Sequence, residues 1–113
     1  MSVDNKNIYR VYLEGMSATE RTIFGGLIRL AEREGTHFQM ESALEKTDIF
    51  ILDGLDQRSL EFGRSHLNIA QEAIWIDPPP HLTPSRQIKR PLHWTTLLQL
   101  MERIVGRNRE PIA

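Results

Sequence analysis

Four apolar residues, Ile49-Phe50-Ile51-Leu52, run without interruption between Asp48 and the pair Asp53-Gly54. A short β-branched and aromatic run bounded by turn residues reads as a strand buried on both faces. Burial on both faces requires a cover of helices on each side, which is the habit of parallel sheets. Such sheets place their sites at the carboxyl ends of the strands, where Asp53 stands. This one stretch therefore sets both the fold class and the place to look for function.

The rest of the chain supplies the other layers. Ile8-Tyr9-Arg10-Val11-Tyr12-Leu13 is β-branched and aromatic and reads as a first strand. After the turn Glu14-Gly15-Met16, Ser17-Ala18-Thr19-Glu20 reads as a capping box. A helix follows, with Ile23, Phe24, Leu27, Ile28 and Ala31 at helical spacing and Gly35 beyond its end. His37-Phe38-Gln39-Met40 alternates as a short strand, and Ser42 to Lys46 is at most a turn or two of helix. Beyond the central strand, Asp56 is a plausible N-cap, and Leu60, Gly63 and Leu67 mark one face of a second substantial helix, which Asn68 to Glu72 either extend or leave. Ala73-Ile74-Trp75-Ile76-Asp77 is a further strand, stopped by Pro78-Pro79-Pro80. Arg86 to Arg90 reads as an edge strand closed by Pro91. Trp94, Leu97, Leu98, Met101, Ile104 and Val105 form the apolar face of a last helix, with Gly106 just past its end. Strands alternating with helices imply right-handed crossovers and an α/β doubly wound parallel sheet of five strands, order 2-1-3-4-5, the flavodoxin-like arrangement. The segment between the fourth and fifth strands has the length of a loop and holds four prolines. The fourth helix is therefore expected to be shortened or missing.

The chain has 113 residues, enough for one domain with a core of its own. We divide it into a flexible start over 1–7, a domain over 8–106, and a disordered tail or linker start over 107–113. With 15 acidic and 14 basic residues the net charge is −1, which implies neither nucleic acid nor an anionic membrane as partner. The absence of cysteine excludes disulfides and thiolate zinc sites and fits a reducing cytoplasm. The polar start Met1 to Asn7 lacks the apolar core of a signal peptide, and no run has the length of a membrane span.

The run Thr47-Asp48-Ile49-Phe50-Ile51-Leu52-Asp53-Gly54 resembles the third strand of response-regulator receiver domains, which ends in the phosphoacceptor Asp. Asp53 falls on that position. Lys89-Arg90-Pro91-Leu92, followed by a terminal amphipathic helix, is similar to the receivers' Lys-Pro step into their last helix. The resemblance spans roughly residues 8–105 and implies two-component signal transduction. It also implies Mg²⁺ held by an acidic pair after the first strand, of which only Glu14 is present. The receivers' switch hydroxyl is replaced by Asp77, and their Lys by Arg90 with Lys89 adjacent. Phosphoryl transfer to Asp53 requires Mg²⁺ on several oxygens, and Glu14 with Asp53 supplies two carboxylates. An ionised Asp77 donates no hydrogen bond and repels a phosphoryl dianion. Arg90 is larger and more planar than Lys.

These departures favour a degenerate receiver, or pseudoreceiver: a non-catalytic domain that regulates by dimerisation or by docking a partner or output domain. Asp53 is then a strand-end acid that is solvated, caps a turn or pairs with Arg90. No cofactor is required on this reading. Its alternatives are a working receiver with Asp53 as phosphoacceptor and Mg²⁺ on Glu14 and Asp53, and a sensor of a small ligand or nucleotide near Glu14, Asp53 and Asp77. No nucleophile–base arrangement suggests an enzyme. The resemblance points to the flank over 78–103 as the interface, with Pro79, His81, Arg86, Gln87, Lys89, Trp94, Gln99 and Arg103 as candidates. The tail from Arg107 suggests a C-terminal output domain in a longer chain.

Weaker signals have plainer explanations. His37, His66, His81 and His93 lack ligand spacing. Arg86 and Arg90 have the Arg-x-x-x-Arg spacing of PilZ-type cyclic-dinucleotide binders, but the rest of that pattern is absent, and a solvated basic edge strand is favoured. Gly25 and Gly26 lie within a helical pattern and are expected to permit close packing of helix on sheet. Pro78 to Pro84 offers either a polyproline II surface for a partner or a stiff bridge, and the bridge is favoured; Trp75 and Trp94 read as core.

Overall fold

The computed structural model describes the backbone of residues 8–109 and the side chains of residues 8–106. In chain order the elements are β1 (Ile8–Glu14), α1 (Ala18–Arg33), β2 (His37–Met40), a single 3-10 turn (Leu44–Lys46), β3 (Ile49–Asp53), α2 (Gln57–Ser65), α3 (Leu67–Glu72), β4 (Ile74–Ile76), β5 (Arg86–Ile88) and α4 (Trp94–Arg109). The five strands form one all-parallel sheet in the order β2-β1-β3-β4-β5, the flavodoxin-like doubly wound order. The sequence segment 1–7, read as flexible, lies outside the described residues, as do 110–113.

Strand alternation sorts the side chains into two layers. Val11 and Leu13 of β1, Ile49 and Ile51 of β3, and Ile74 and Ile76 of β4 join Phe24, Leu27 and Ala31 of α1 and Leu97, Met101 and Val105 of α4 in the main core. The other face is smaller: Leu52, Ala73 and Trp75 are buried with Phe50, Leu60, Phe62, Ala70 and Leu82 against them. Each fully buried Ile, Leu or Val contributes about 1.5–3 kcal/mol, so the α1/α4 layer carries most of the stability. Among the described residues, no helix is long and apolar enough to cross a membrane.

No helix joins β4 to β5; nine residues, 77–85, make the parallel crossover. Such a connection ordinarily takes a dozen or more residues. Here the prolines do the bridging: Leu82 N–H donates to Pro79 O across a tight turn, and the Leu82 side chain drops onto the cluster around Trp75.

Three sequence readings are corrected. The second substantial helix breaks at His66, whose backbone (φ −133°, ψ 71°) leaves the helical region. Its ring stacks on Phe62 with centroids 4.5 Å apart, and Leu67, assigned to the inner face, is exposed. Gly25 and Gly26 do not mediate close packing, since a Cβ at either would meet nothing within 4 Å. The last helix does not stop before Gly106. It runs to Arg109, so residues 107–109, assigned to the tail, belong to α4. The N-caps Ser17 and Asp56 stand where the sequence places them.

Candidate functional site

The carboxyl ends of β3 and β4 and the first turn of α1 meet around a single guanidinium. Asp53 is the last residue of β3, and parity with Ile49 and Ile51 turns its side chain toward α1 and α4. Asp77 leaves β4 with a left-handed backbone (φ 49°), a conformation that Asp adopts more readily than most residues. Arg90 follows β5 and precedes a cis peptide to Pro91. Glu20 comes from the first turn of α1.

Every donor of Arg90 is used. A guanidinium has five N–H groups. Nε donates to Glu20 Oε2 at 2.8 Å and Nη2 to Glu20 Oε1 at 3.1 Å. Nη1 donates to Asp53 Oδ1 at 3.2 Å and to Asp77 Oδ2 at 3.0 Å. The second Nη2 hydrogen goes to Asp53 Oδ2 at 2.8 Å. Glu20 and Asp53 are both gripped bidentately, the arrangement for which Arg is suited and Lys is not. The backbone N–H of Arg90 also donates to Asp77 Oδ1 at 3.2 Å. Both oxygens of Asp53 are engaged, Oδ1 accepting a further bond from Leu55 N–H at 2.9 Å. The Asp53 side chain is 6% exposed, against 27% for Arg90.

The electrostatics follow from this geometry. The hydrogen bonds that Arg90 donates to Glu20 and then to Asp53 raise its pKa above its already high ordinary value. The Arg90 guanidinium holds the Glu20 carboxyl below its ordinary value, helped by the Ser17 backbone and opposed by partial burial. Glu20 has two functions. Its Oε1 also accepts from Ser17 N–H at 3.1 Å, so the capping box of α1 and the grip on Arg90 share one carboxylate.

The floor of the site is backbone packed too closely for side chains. Gly15 has φ +98°, and a Cβ there would lie 2.5 Å from Asp53 Cβ and 2.9 Å from Asp56 Cβ. A Cβ on Gly54 would collide with the Asp77 carbonyl. Ser59, fully buried, accepts from Asp53 N–H at 3.2 Å and donates toward Glu14 O at 2.9 Å, tying α2 to the ends of β1 and β3.

Of the residues singled out in the sequence, Asp53, Asp77 and Arg90 converge. Glu14 does not. It shares the parity of Tyr12 and turns to the opposite face, where its Oε1 accepts from Tyr12 Oη at 3.0 Å. The Tyr12 ring stacks with Phe62 at 5.4 Å, and burial followed by the Glu14 carboxylate raises the Tyr12 pKa. Glu14 and Asp53 therefore do not fit a shared Mg²⁺, and among the described residues no group of three or more His, Cys, Asp or Glu is arranged to hold a metal ion. Lys89 points outward and is exposed, the neighbour of a buried-side Arg90.

On the flank, His81, Gln87, Gln99 and Arg103 are exposed, and Pro79 is half-buried. Arg86 is folded back, its Nη1 donating to Glu72 O at 2.8 Å and Glu72 Oε1 at 3.3 Å. Trp94 packs on the main core. Glu20 is the site residue that sequence reasoning missed, because the capping box already explained it. Its place in the first turn of the helix after β1 was the available signal, since that turn overlies the strand ends. The sequence matches no protein-family model and no curated protein.

Proposed function

We propose that this chain is a pseudoreceiver: a non-catalytic signalling domain that resembles response-regulator receivers and acts by binding a partner, an output domain or a second copy through the flank over 78–103. The observation that carries this reading is the saturation of Arg90, whose five N–H groups all end on Glu20, Asp53 and Asp77. A phosphoryl group entering the crevice would find no free guanidinium donor, no switch hydroxyl and two carboxylates more than the arginine neutralises. Of the two carboxylates expected to hold Mg²⁺, Asp53 is occupied by Arg90 and Glu14 faces the opposite side of the sheet. The cysteine-free composition fits a cytoplasmic setting.

The test is NMR of the domain with Mg²⁺ and beryllofluoride, a phosphoryl mimic. The reading expects no saturable shifts at Gly15, Asp53, Asp77 or Arg90. Saturable shifts clustered there would replace it with the phosphorylatable receiver. Substitution of exposed Gln99 and Arg103 is expected to weaken association in sedimentation or partner binding; unchanged association would remove the flank from the proposal.

A further inference from the structure

The sheet ends at β5 with an open edge. In a parallel ladder, successive residues direct their backbone groups to alternate sides. Asp77 N–H donates to Ile88 O, so Ile88 is bonded to β4, and Gln87 and Lys89 turn their N–H and C=O groups outward. Both residues are exposed. A groove of about 390 Å³ lies at this edge, lined by residues 87–91, by His93 just before α4 and by Thr96 in its first turn.

The edge strand and residues 78–85 leading into it carry basic side chains and no acidic ones. Residues 78–101 contain Arg86, Lys89 and Arg90 and no Asp or Glu, and the rest of the flank adds one of each sign, the exposed Glu102 and Arg103. Removing those three from the chain's 14 basic residues leaves eleven against fifteen acidic. Arg86 is held by Glu72 and Arg90 by three carboxylates, which makes Lys89 the cation left facing the groove. Among the described residues Lys89 makes no ion pair. Short length and a Lys are also the ordinary defence of an edge strand. The two roles agree here: Lys89 repels Lys89 of a second copy and attracts a carboxylate.

We propose that the open edge of β5 is a strand-addition site for an extended, acidic segment of a partner protein. Backbone hydrogen bonds to Gln87 and Lys89 would fix the segment, and its carboxylates would lie against Lys89. The proposal rests on the flank being an interface and names what it binds. β-Augmentation of this kind takes affinity from the main chain and selectivity from alternate side chains.

The probe is a synthetic alternating Val-Glu peptide, with the Val-Lys peptide as its control, titrated into the ¹⁵N-labelled domain. The expected result is salt-sensitive amide shifts at Gln87, Lys89 and His93 with the acidic peptide alone. Lys89→Glu is expected to weaken binding about tenfold or more. Gln87→Pro removes an outward donor without touching the ladder to β4 and is expected to abolish binding; a Tm within a few degrees of the parent shows that it folds. Equal shifts with both peptides, shifts elsewhere, or none at millimolar peptide would overturn the proposal. So would a dimer of the free domain that Gln87→Pro dissolves, since the edge would then belong to a second copy. If Gln99 and Arg103 variants disturb association while Gln87→Pro and Lys89→Glu do not, the flank remains the interface and strand addition fails.

Discussion

Arg90 is where most of the local energy converges. Removing it leaves Glu20, Asp53 and Asp77 facing one another with no counter-charge, and breaking a largely buried ion pair costs more than its formation contributes. Arg90→Ala is expected to destabilise the domain by about 2–4 kcal/mol in urea unfolding. Arg90→Lys should recover only part of this, because three donors on a point charge cannot hold two carboxylates bidentately. Glu20 makes the pair pH-dependent. Its folded pKa lies below the ordinary value of 4.5, so the stability it contributes is present above that value and is lost as pH falls through the folded pKa. Glu20→Gln should flatten the acid limb of the stability profile below about pH 4.5, measured by urea midpoints across pH. Gly15→Ala combines a left-handed backbone with a clash against Asp53 and is expected to cost at least about 2 kcal/mol.

α1 shows how an element can be correct in place and misread in purpose. The periodicity of Phe24, Leu27 and Ala31 does bury one face, and the capping box does start the helix. The glycine pair, however, stands on open surface beside exposed Ile23 and Leu30 rather than against the sheet. Gly25→Ala and Gly26→Ala should therefore each stabilise the domain, by about 0.5–1 kcal/mol from helix propensity alone. A decrease in the urea midpoint would mean that something packs on that face. The β4–β5 crossover behaves as a strap. Leu82 lies over Trp75, and opening that contact should expose the indole. In a Trp94→Phe background, Leu82→Ala is expected to raise acrylamide quenching of Trp75; unchanged quenching would show that the prolines alone keep the strap closed.

Across the whole molecule, the two faces of the sheet differ in depth. α1 and α4 cover one face with a continuous core, whereas α2, the short α3 and the proline strap cover the other. The crevice at the strand ends belongs to the deep side, through Asp53 and Glu20, and is closed by an internal cation. On the reading proposed above, binding falls to the periphery, at the β5 edge. The absence of a helix between β4 and β5 thus has two consequences: the flank is shorter than a complete doubly wound domain would give, and the edge strand beside it stays uncovered.

Local pattern alone determined the strands, their order in the sheet and where the helices begin, but not the break at His66 or the end of the last helix. Uninterrupted apolar runs can only be satisfied between two layers, caps mark where helices begin, and nine residues with four prolines cannot make a crossover helix. It also located Asp53, Asp77 and Arg90 at strand ends. What the sequence could not give was which side chains meet. Glu14 and Glu20 are both acids near the end of β1, and in sequence Glu14 is the nearer to the strand. Strand parity turns Glu14 to the far face with Tyr12, while the turn at Gly15 carries the chain back so that the first turn of α1 brings Glu20 over Arg90. Likewise Lys89 and Arg90 are adjacent cations, yet alternation sends one to solvent and the other into the crevice. Contacts between residues 37 to 70 positions apart depend on the register of strands and the angle of helices, which only the folded chain decides.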